Sequence, residues 1–273
     1  MKFDKSNSWF DRAEKSIAGQ TQTLSKKAQW FPQGAYPLYI ERGEGPFVWD
    51  VDGNKYCDFI LGLGPITLGY NHPEINASIR EQLDKGIIFS LPHPLEVEVS
   101  EQIRELIPCA ERVRFSKTGS EVCQAAVRVA RAYTGRNHIA YRGYSGWHSW
   151  YACISDRPKG TLPEEKNYMH EFKYNDLQSL DAILSTHDCA AVIMEPVIFD
   201  APEEGYLQAV KDLAHKYGAL LIFDEMVTGF RMAVGGAQEC FKVTPDLATF
   251  GKGIANGMPL SVLCGRADVM DEC

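Results

Sequence analysis

From about residue 95 onward, short apolar segments alternate with segments of helical periodicity, and this alternation limits the chain to a narrow set of folds. The apolar stretches are "RVRFS", "HIAYR", "AAVIME", "ALLIFDE" and "LATFG". Between them lie "SEVCQAAVRVARAYTG", with an apolar face at Val122, Ala125, Ala126, Val129 and Tyr133 and a stop at Gly135, and "EGYLQAVKDLAHKYG". A strand such as "AAVIME" has no polar alternation, so both of its faces must be covered. Strands of that kind joined by helices predict an α/β fold with a mainly parallel sheet and flanking helices. In such sheets ligands gather at the carboxyl ends of the strands.

The N-terminal part reads differently. Residues 1–30 suggest a polar helix followed by an extended Ser/Thr/Gln segment. Tyr39 to Phe59 reads as strand, turn, strand, with Asp52-Gly53-Asn54 as turn chemistry. Asp50 and Asp52 invite a calcium-loop reading, but the ligand spacing fails and no late Glu completes it. "NHPEINASIREQLDKG" predicts a helix opening near His72-Pro73.

Composition removes several functions. The formal net charge of -8 over 273 residues argues against a nucleic-acid or anionic-membrane surface. Eight cysteines stand without CxxC spacing, which suggests free thiols and a cytoplasmic protein. The first residues, MKFDKSNSWF, carry charges where a signal peptide needs an apolar core, and no apolar run is long enough for a membrane span.

Four strand ends carry candidate chemistry. "RVRFSKTGSE" turns through Thr118-Gly119 into a helix near Ser120, a place where free amides and the helix dipole favour a phosphate; Ser120 could equally be a plain N-cap. "ALLIFDEM" ends on Asp224 and Glu225, and a carboxylate there needs a partner. Asp224 could ligate a metal, act as a base, hold a protonated ring nitrogen or cap a loop. No His/Asp/Glu spacing nearby supports a metal, and none is expected. "AYRGYSGWHSWY" supplies Tyr141, Tyr144, Trp147 and Trp150 for stacking on a planar ligand. It misses the serine-hydrolase elbow because Trp147 replaces its last glycine, and His148 reads as a supporting residue. Finally, "TFGKGIANGMPL" places Lys252 among glycines without P-loop spacing. A phosphate site, a stacking ring, a buried carboxylate and a later lysine together match the four contacts of pyridoxal phosphate.

The motifs "YIERGEGPFVWDVDGNKYCDF", "GPITLGYNHP", "FSKTGSE", "VARAYTGR", "ALLIFDEMVTGFR" and "PDLATFGKGIANGMP" resemble the class III aminotransferases of the pyridoxal-phosphate fold type I superfamily. They are most similar to the glutamate-1-semialdehyde aminomutase branch. The resemblance implies a fold type I large domain at 71–273, incomplete, with 1–70 as part of a small domain whose C-terminal portion is absent. It implies a Schiff base on Lys252, Asp224 facing the pyridine nitrogen, Thr118, Gly119 and Ser120 on the phosphate, and Tyr144 stacked on the ring. Met226 stands where the family usually has valine, against the other ring face. A homodimer with active sites at the subunit interface is implied for the full-length protein.

Several positions depart from the aminomutase pattern. Ser25 stands where an arginine holds the substrate carboxylate, with Lys26 and Lys27 beside it. Leu63 replaces a tryptophan, Ser145 a histidine, and Asp200 is the nearest match to an asparagine on the ring hydroxyl. The cofactor set is kept and the substrate set altered. This favours amine transfer between a donor and another small carbonyl compound, a sugar or natural-product intermediate among them. A 1,2-aminomutase is the alternative within enzymes. Because the chain stops at "GRADVMDEC", a catalytically inactive fragment with a binding or assembly role is the alternative outside them.

Overall fold

A computed structural model describes residues 1–32 and 34–273, which form two compact units, Met1–Ile88 and Phe89–Cys273. In the first unit, helix α1 (Asp4–Ser16) precedes a three-stranded antiparallel sheet of β1 (Ile40–Glu44), β2 (Phe47–Asp50) and β3 (Lys55–Cys57). Helix α2 (Pro73–Lys85) opens with proline at its first turn and stops at Gly86. The expected extended segment before residue 30 is instead two short 3-10 turns, Leu24–Lys26 and Ala28–Trp30; the Trp30 indole N–H donates to the Leu24 carbonyl at 3.0 Å. Asp50 and Asp52 are consumed by structure. Buried Asp50 accepts from the Asn54 amide and the Tyr56 hydroxyl at 2.8 Å each, while Asp52 accepts the Lys5 and Ser6 amides at the start of α1.

The second unit begins with α3 (Pro94–Leu106), β4 (Arg112–Ser116), α4 (Gly119–Thr134), β5 (His138–Arg142) and the short α5 (Ser149–Ala152). It continues with β6 (Met169–Glu171), α6 (Leu177–Thr186), β7 (Cys189–Met194), α7 (Tyr206–Lys216) and β8 (Leu220–Asp224). It ends with α8 (Ala237–Phe241), β9 (Leu247–Phe250), β10 (Ser261–Gly265) and α9 (Ala267–Met270). The strands form one seven-stranded sheet in the order β4-β10-β9-β8-β7-β5-β6. Pairing is parallel from β9 through β8, β7 and β5 to β6; β10 alone runs against its neighbours β9 and β4. The mainly parallel α/β sheet read from the sequence is therefore present. The antiparallel insertion of β10 was not legible.

Both faces of the sheet are covered, as "AAVIME" requires. Ala191, Ile193, Leu220 and Ile222 pack with Val122, Ala126 and Val129 of α4 on one side. Val192, Met194, Leu221 and Phe223 pack with Leu180 of α6 and Leu207, Val210 and Ala214 of α7 on the other. The period-2 division of each strand between two helical layers stabilises the fold by roughly 1.5–3 kcal/mol per large buried side chain. Helix α4 ends where the sequence suggests, with Gly135 in the left-handed conformation at φ 69°. No helix among the described residues is long and apolar enough to cross a membrane.

This topology decides where the chemistry gathers. Strands β4, β5, β7, β8 and β9 all point one way, so Ser116, Arg142, Met194, Asp224 and Phe250 end at the same edge. The loops that follow carry Thr118, Tyr144, Glu195, Met226 and Lys252.

Candidate active site

Asp224 is the last residue of β8 and only 1% exposed. Its Oδ1 accepts the Met226 amide at 3.1 Å, and its Oδ2 accepts the Cys123 thiol of α4 at 3.4 Å. Both are modest donors for a buried carboxylate. Burial first, then the neighbouring Glu195 carboxylate, push Asp224 up to about 7. The Met226 amide, the Cys123 thiol and the Lys252 ammonium pull the other way without prevailing. Cys123 itself is raised by burial and by Asp224, so it stays a protonated donor.

The adjacent Glu225 has the opposite fate. It accepts the Ala237 and Gln238 amides at 2.8 and 3.0 Å and the Thr228 hydroxyl, which ties down the first turn of α8. Glu225 is thus a structural cap. Asp224 lacks such a set and still holds unsatisfied electrostatic demand.

Glu195 follows β7, and the sequence alone presents it only as the end of the "AAVIME" strand. It is half-buried, and its Oε1 accepts the Tyr144 amide at 2.7 Å. Burial raises its pKa, and the Lys252 charge opposes the rise. Two carboxylates and one ammonium therefore share this end of the sheet. The sequence signal was available: Glu195 ends an apolar strand just as Asp224 does.

Lys252 opens a one-turn 3-10 segment, Lys252–Ala255, directly after β9 and Gly251. Its backbone lies in the left-handed region at φ 43°, an uncommon state for a residue with a side chain. Gly251 lies close to Met226: a methyl group there would stand 2.7 Å from the Met226 sulfur, so that side chain would have to shift to admit it. Gly119, across the site, meets the same sulfur at the same distance. Met226 thus wedges between the start of α4 and the Lys252 turn.

At the start of α4 the N-cap is Thr118, not Ser120. Glu121 accepts the Thr118 and Lys117 amides at 2.8 and 3.1 Å and the Ser116 hydroxyl at 2.6 Å, while its own amide donates to the Thr118 hydroxyl. The Ser116 hydroxyl and the amides hold the Glu121 carboxylate down at about 2. The Ser261 hydroxyl of β10 donates to the Thr118 carbonyl at 2.8 Å, so the antiparallel strand braces this turn. The Thr118 amide is occupied by Glu121, and Gly119 and Ser120 are the first amides past the cap. Their N–H groups have no intrahelical partner at these positions. The Ser120 hydroxyl accepts the Trp147 amide at 3.3 Å, which ties the helix start to the loop after β5.

Tyr144 lies in that loop, 63% exposed as a residue, with its ring in a T-shaped pair with Tyr151 at 5.5 Å. The Tyr151 hydroxyl is anchored on the Gly143 carbonyl at 2.7 Å. Much of Tyr144 is therefore open to solvent. Ser145 is buried, and Asp200 lies in an exposed bend after β7.

The family model "Aminotransferase class-III" matches residues 31–273. The chain is 42% identical over 279 residues to the 3-aminobutyryl-CoA aminotransferase of Cloacimonas acidaminovorans, covering 99% of this chain and 66% of that protein. It is 40% identical to the glutamate-1-semialdehyde 2,1-aminomutase of Symbiobacterium thermophilum over 288 residues, with the same coverage of 99% and 66%. Among solved structures it resembles the FumI protein of Sphingopyxis sp. MTA144, solved in its PLP internal aldimine form, with TM-score 0.92 and 29% identity over 98% of this chain and 66% of that one. The chain spans just under two thirds of the length of these curated relatives, at 66%. With the family model matching from residue 31 to residue 273, this chain belongs to the class-III aminotransferase family.

Proposed function

We propose that this chain forms the cofactor-binding part of a pyridoxal-phosphate-dependent enzyme that moves an amino group between an amine donor and a small carbonyl compound. The observation that carries the reading is Asp224, a fully buried carboxylate with two modest hydrogen-bond donors, beside a second carboxylate and a lysine. A protonated pyridine nitrogen is the partner such a group lacks.

The residues present fit the cofactor. The Gly119 and Ser120 amides at the helix start, with the Ser120 hydroxyl, suit the phosphate. The ring of Tyr144 and the sulfur of Met226 suit the two faces of a planar ring. When bound, pyridoxal phosphate supplies an electron-accepting ring that stabilises charge at the substrate carbon next to the nitrogen. Asp224 would keep that ring's nitrogen protonated. Lys252 would tether the cofactor and, when released, carry a proton between substrate and cofactor atoms. Glu195, by holding the Tyr144 amide, would keep the stacking residue in place.

The 3-aminobutyryl-CoA aminotransferase and the aminomutase are nearly equal in identity to this chain, so the choice between transfer and mutase chemistry rests on other positions. Ser25, Leu63 and Ser145 depart from the aminomutase pattern, and these departures favour transfer to a different carbonyl substrate.

The test is incubation with pyridoxal phosphate, borohydride reduction and peptide mass mapping. A reduced adduct on Lys252, absent in Lys252→Ala, is expected. An unmodified Lys252 in folded protein sinks the proposal and leaves a non-catalytic binding role. Consumption of a separate amino donor by the whole protein then distinguishes transfer from mutase chemistry, which needs none.

A further inference from the structure

Far from Lys252 along the strands, three histidines converge that no part of the proposed function uses. His138 begins β5, His170 is the middle residue of β6, and His187 is the C-cap that follows α6, just before β7. The His138 Nδ1 lies 2.9 Å from the His170 Nε2. The rings of His170 and His187 stack at 3.8 Å, and those of His138 and His187 lie 5.0 Å apart. One nitrogen from each ring falls within 4.8 Å of the others, and all three residues are half-buried.

We propose that His138, His170 and His187 form a binding site for a first-row transition-metal dication of the Zn2+ type, one that fastens the edge strand β6 to β5 and to the turn before β7. The donor set decides the class of ion. Three imidazoles without a carboxylate suit Zn2+, Co2+, Ni2+ or Cu2+ and not Ca2+ or Mg2+, which require oxygen ligands. The backbone fixes each ring's origin. His138 and His170 stand on paired parallel strands, while the His187 amide donates to the Ile183 carbonyl at 2.9 Å and its carbonyl accepts the Cys189 amide at 2.9 Å. Tetrahedral coordination at Zn–N of about 2.0–2.1 Å sets the nitrogens roughly 3.3 Å apart. The His138–His170 pair must therefore open by a few tenths of an ångström, and the His170–His187 stack must fan so that both lone pairs meet. Water completes the fourth position.

The charged surroundings are mixed. The Asp188 carboxylate lies within electrostatic reach of His138 and favours a cation, although it already pairs with Arg136 at 2.8 Å; Arg131 opposes. Three ligands drawn from separate elements leave no local spacing motif, which is why inspection of the sequence does not find them.

The test uses the full chain, with Zn2+ in calorimetric titration and Co2+ as a spectroscopic probe. One equivalent of Zn2+ is expected, together with a raised unfolding temperature. Co2+ should give visible d–d bands without thiolate charge transfer, because eight free cysteines are the competing ligands. His170→Asn and His187→Gln should each weaken binding by about tenfold or more. His187 lies outside any strand, so its variant keeps the test decisive if His170→Asn disturbs the sheet. No stoichiometric binding, a thiolate band, or unchanged affinity in His187→Gln would overturn the proposal and leave a hydrogen-bonded imidazole cluster.

Discussion

The sulfur of Met226 stands 2.7 Å from where a methyl group on Gly119 would be. The same sulfur blocks Gly251 at the same distance, so one side chain explains two glycines that lie far apart in the chain. Substitutions at those glycines should therefore be coupled through Met226.

Gly119→Ala places alanine in a helical first turn, where propensity alone favours it over glycine by roughly 1 kcal/mol. The clash should reverse that sign and destabilise by about 1 kcal/mol. Once Met226 has moved, Gly251→Ala should cost less, so the double variant should fall short of additivity by about 0.5 kcal/mol or more. Met226→Val should restore most of the loss. Urea denaturation of the parent, the two single variants, the double variant and Gly119→Ala combined with Met226→Val checks this; a stabilising Gly119→Ala would show that Met226 does not fill the gap.

Asp224 should leave a signature in stability against pH. In the cofactor-free chain its raised pKa means that the folded state holds a proton which the unfolded state releases. The folded state then binds more protons between about pH 4 and 7, so this contribution is full below that window and is lost as pH rises through it. Asp224→Asn should flatten the slope, leaving the smaller part due to Glu195, whose pKa is also raised. Glu195→Gln should move the upper end of the window downward by removing the like charge. Denaturation curves across that range read the effect, and an unchanged slope in Asp224→Asn would refute it.

Glu225 and Asp224, adjacent in sequence, should separate in mutagenesis. Glu225→Ala strips the partners from two buried amides and a hydroxyl and should destabilise by about 3 kcal/mol. Asp224→Asn should raise cofactor-free stability at neutral pH, because it removes the cost of ionising a buried carboxylate, while weakening retention of pyridoxal phosphate. The comparison needs thermal melts and cofactor dialysis of both variants. Equal losses of stability would remove the distinction between a cap and a ligand-facing group.

Thr118→Ala removes the N-cap of α4 and should cost about 1 kcal/mol, with Thr118→Ser recovering most of it. If the alanine variant denatures with the same midpoint and slope as the parent, the capping box with Glu121 contributes nothing.

Much of the arrangement was legible in the chain itself. Apolar strands without polar alternation demand a sheet covered on both faces, and parallel strands send their ends to one edge. That places Asp224, Lys252, Tyr144 and the Thr118–Ser120 turn at one end from the sequence pattern alone. Burial period and turn chemistry are local properties, so they can be read from adjacent residues.

What only the tertiary structure decided depends on distance across the fold. The reversed insertion of β10, which braces Thr118 through Ser261, depends on edge pairing that no local pattern encodes. Whether Asp224 or Glu225 is satisfied depends on α8 folding back onto Glu225 alone. The wedge of Met226 between two glycines and the meeting of His138, His170 and His187 likewise join segments remote in sequence. Periodicity says which face a residue presents; packing of distant elements alone says what that face meets.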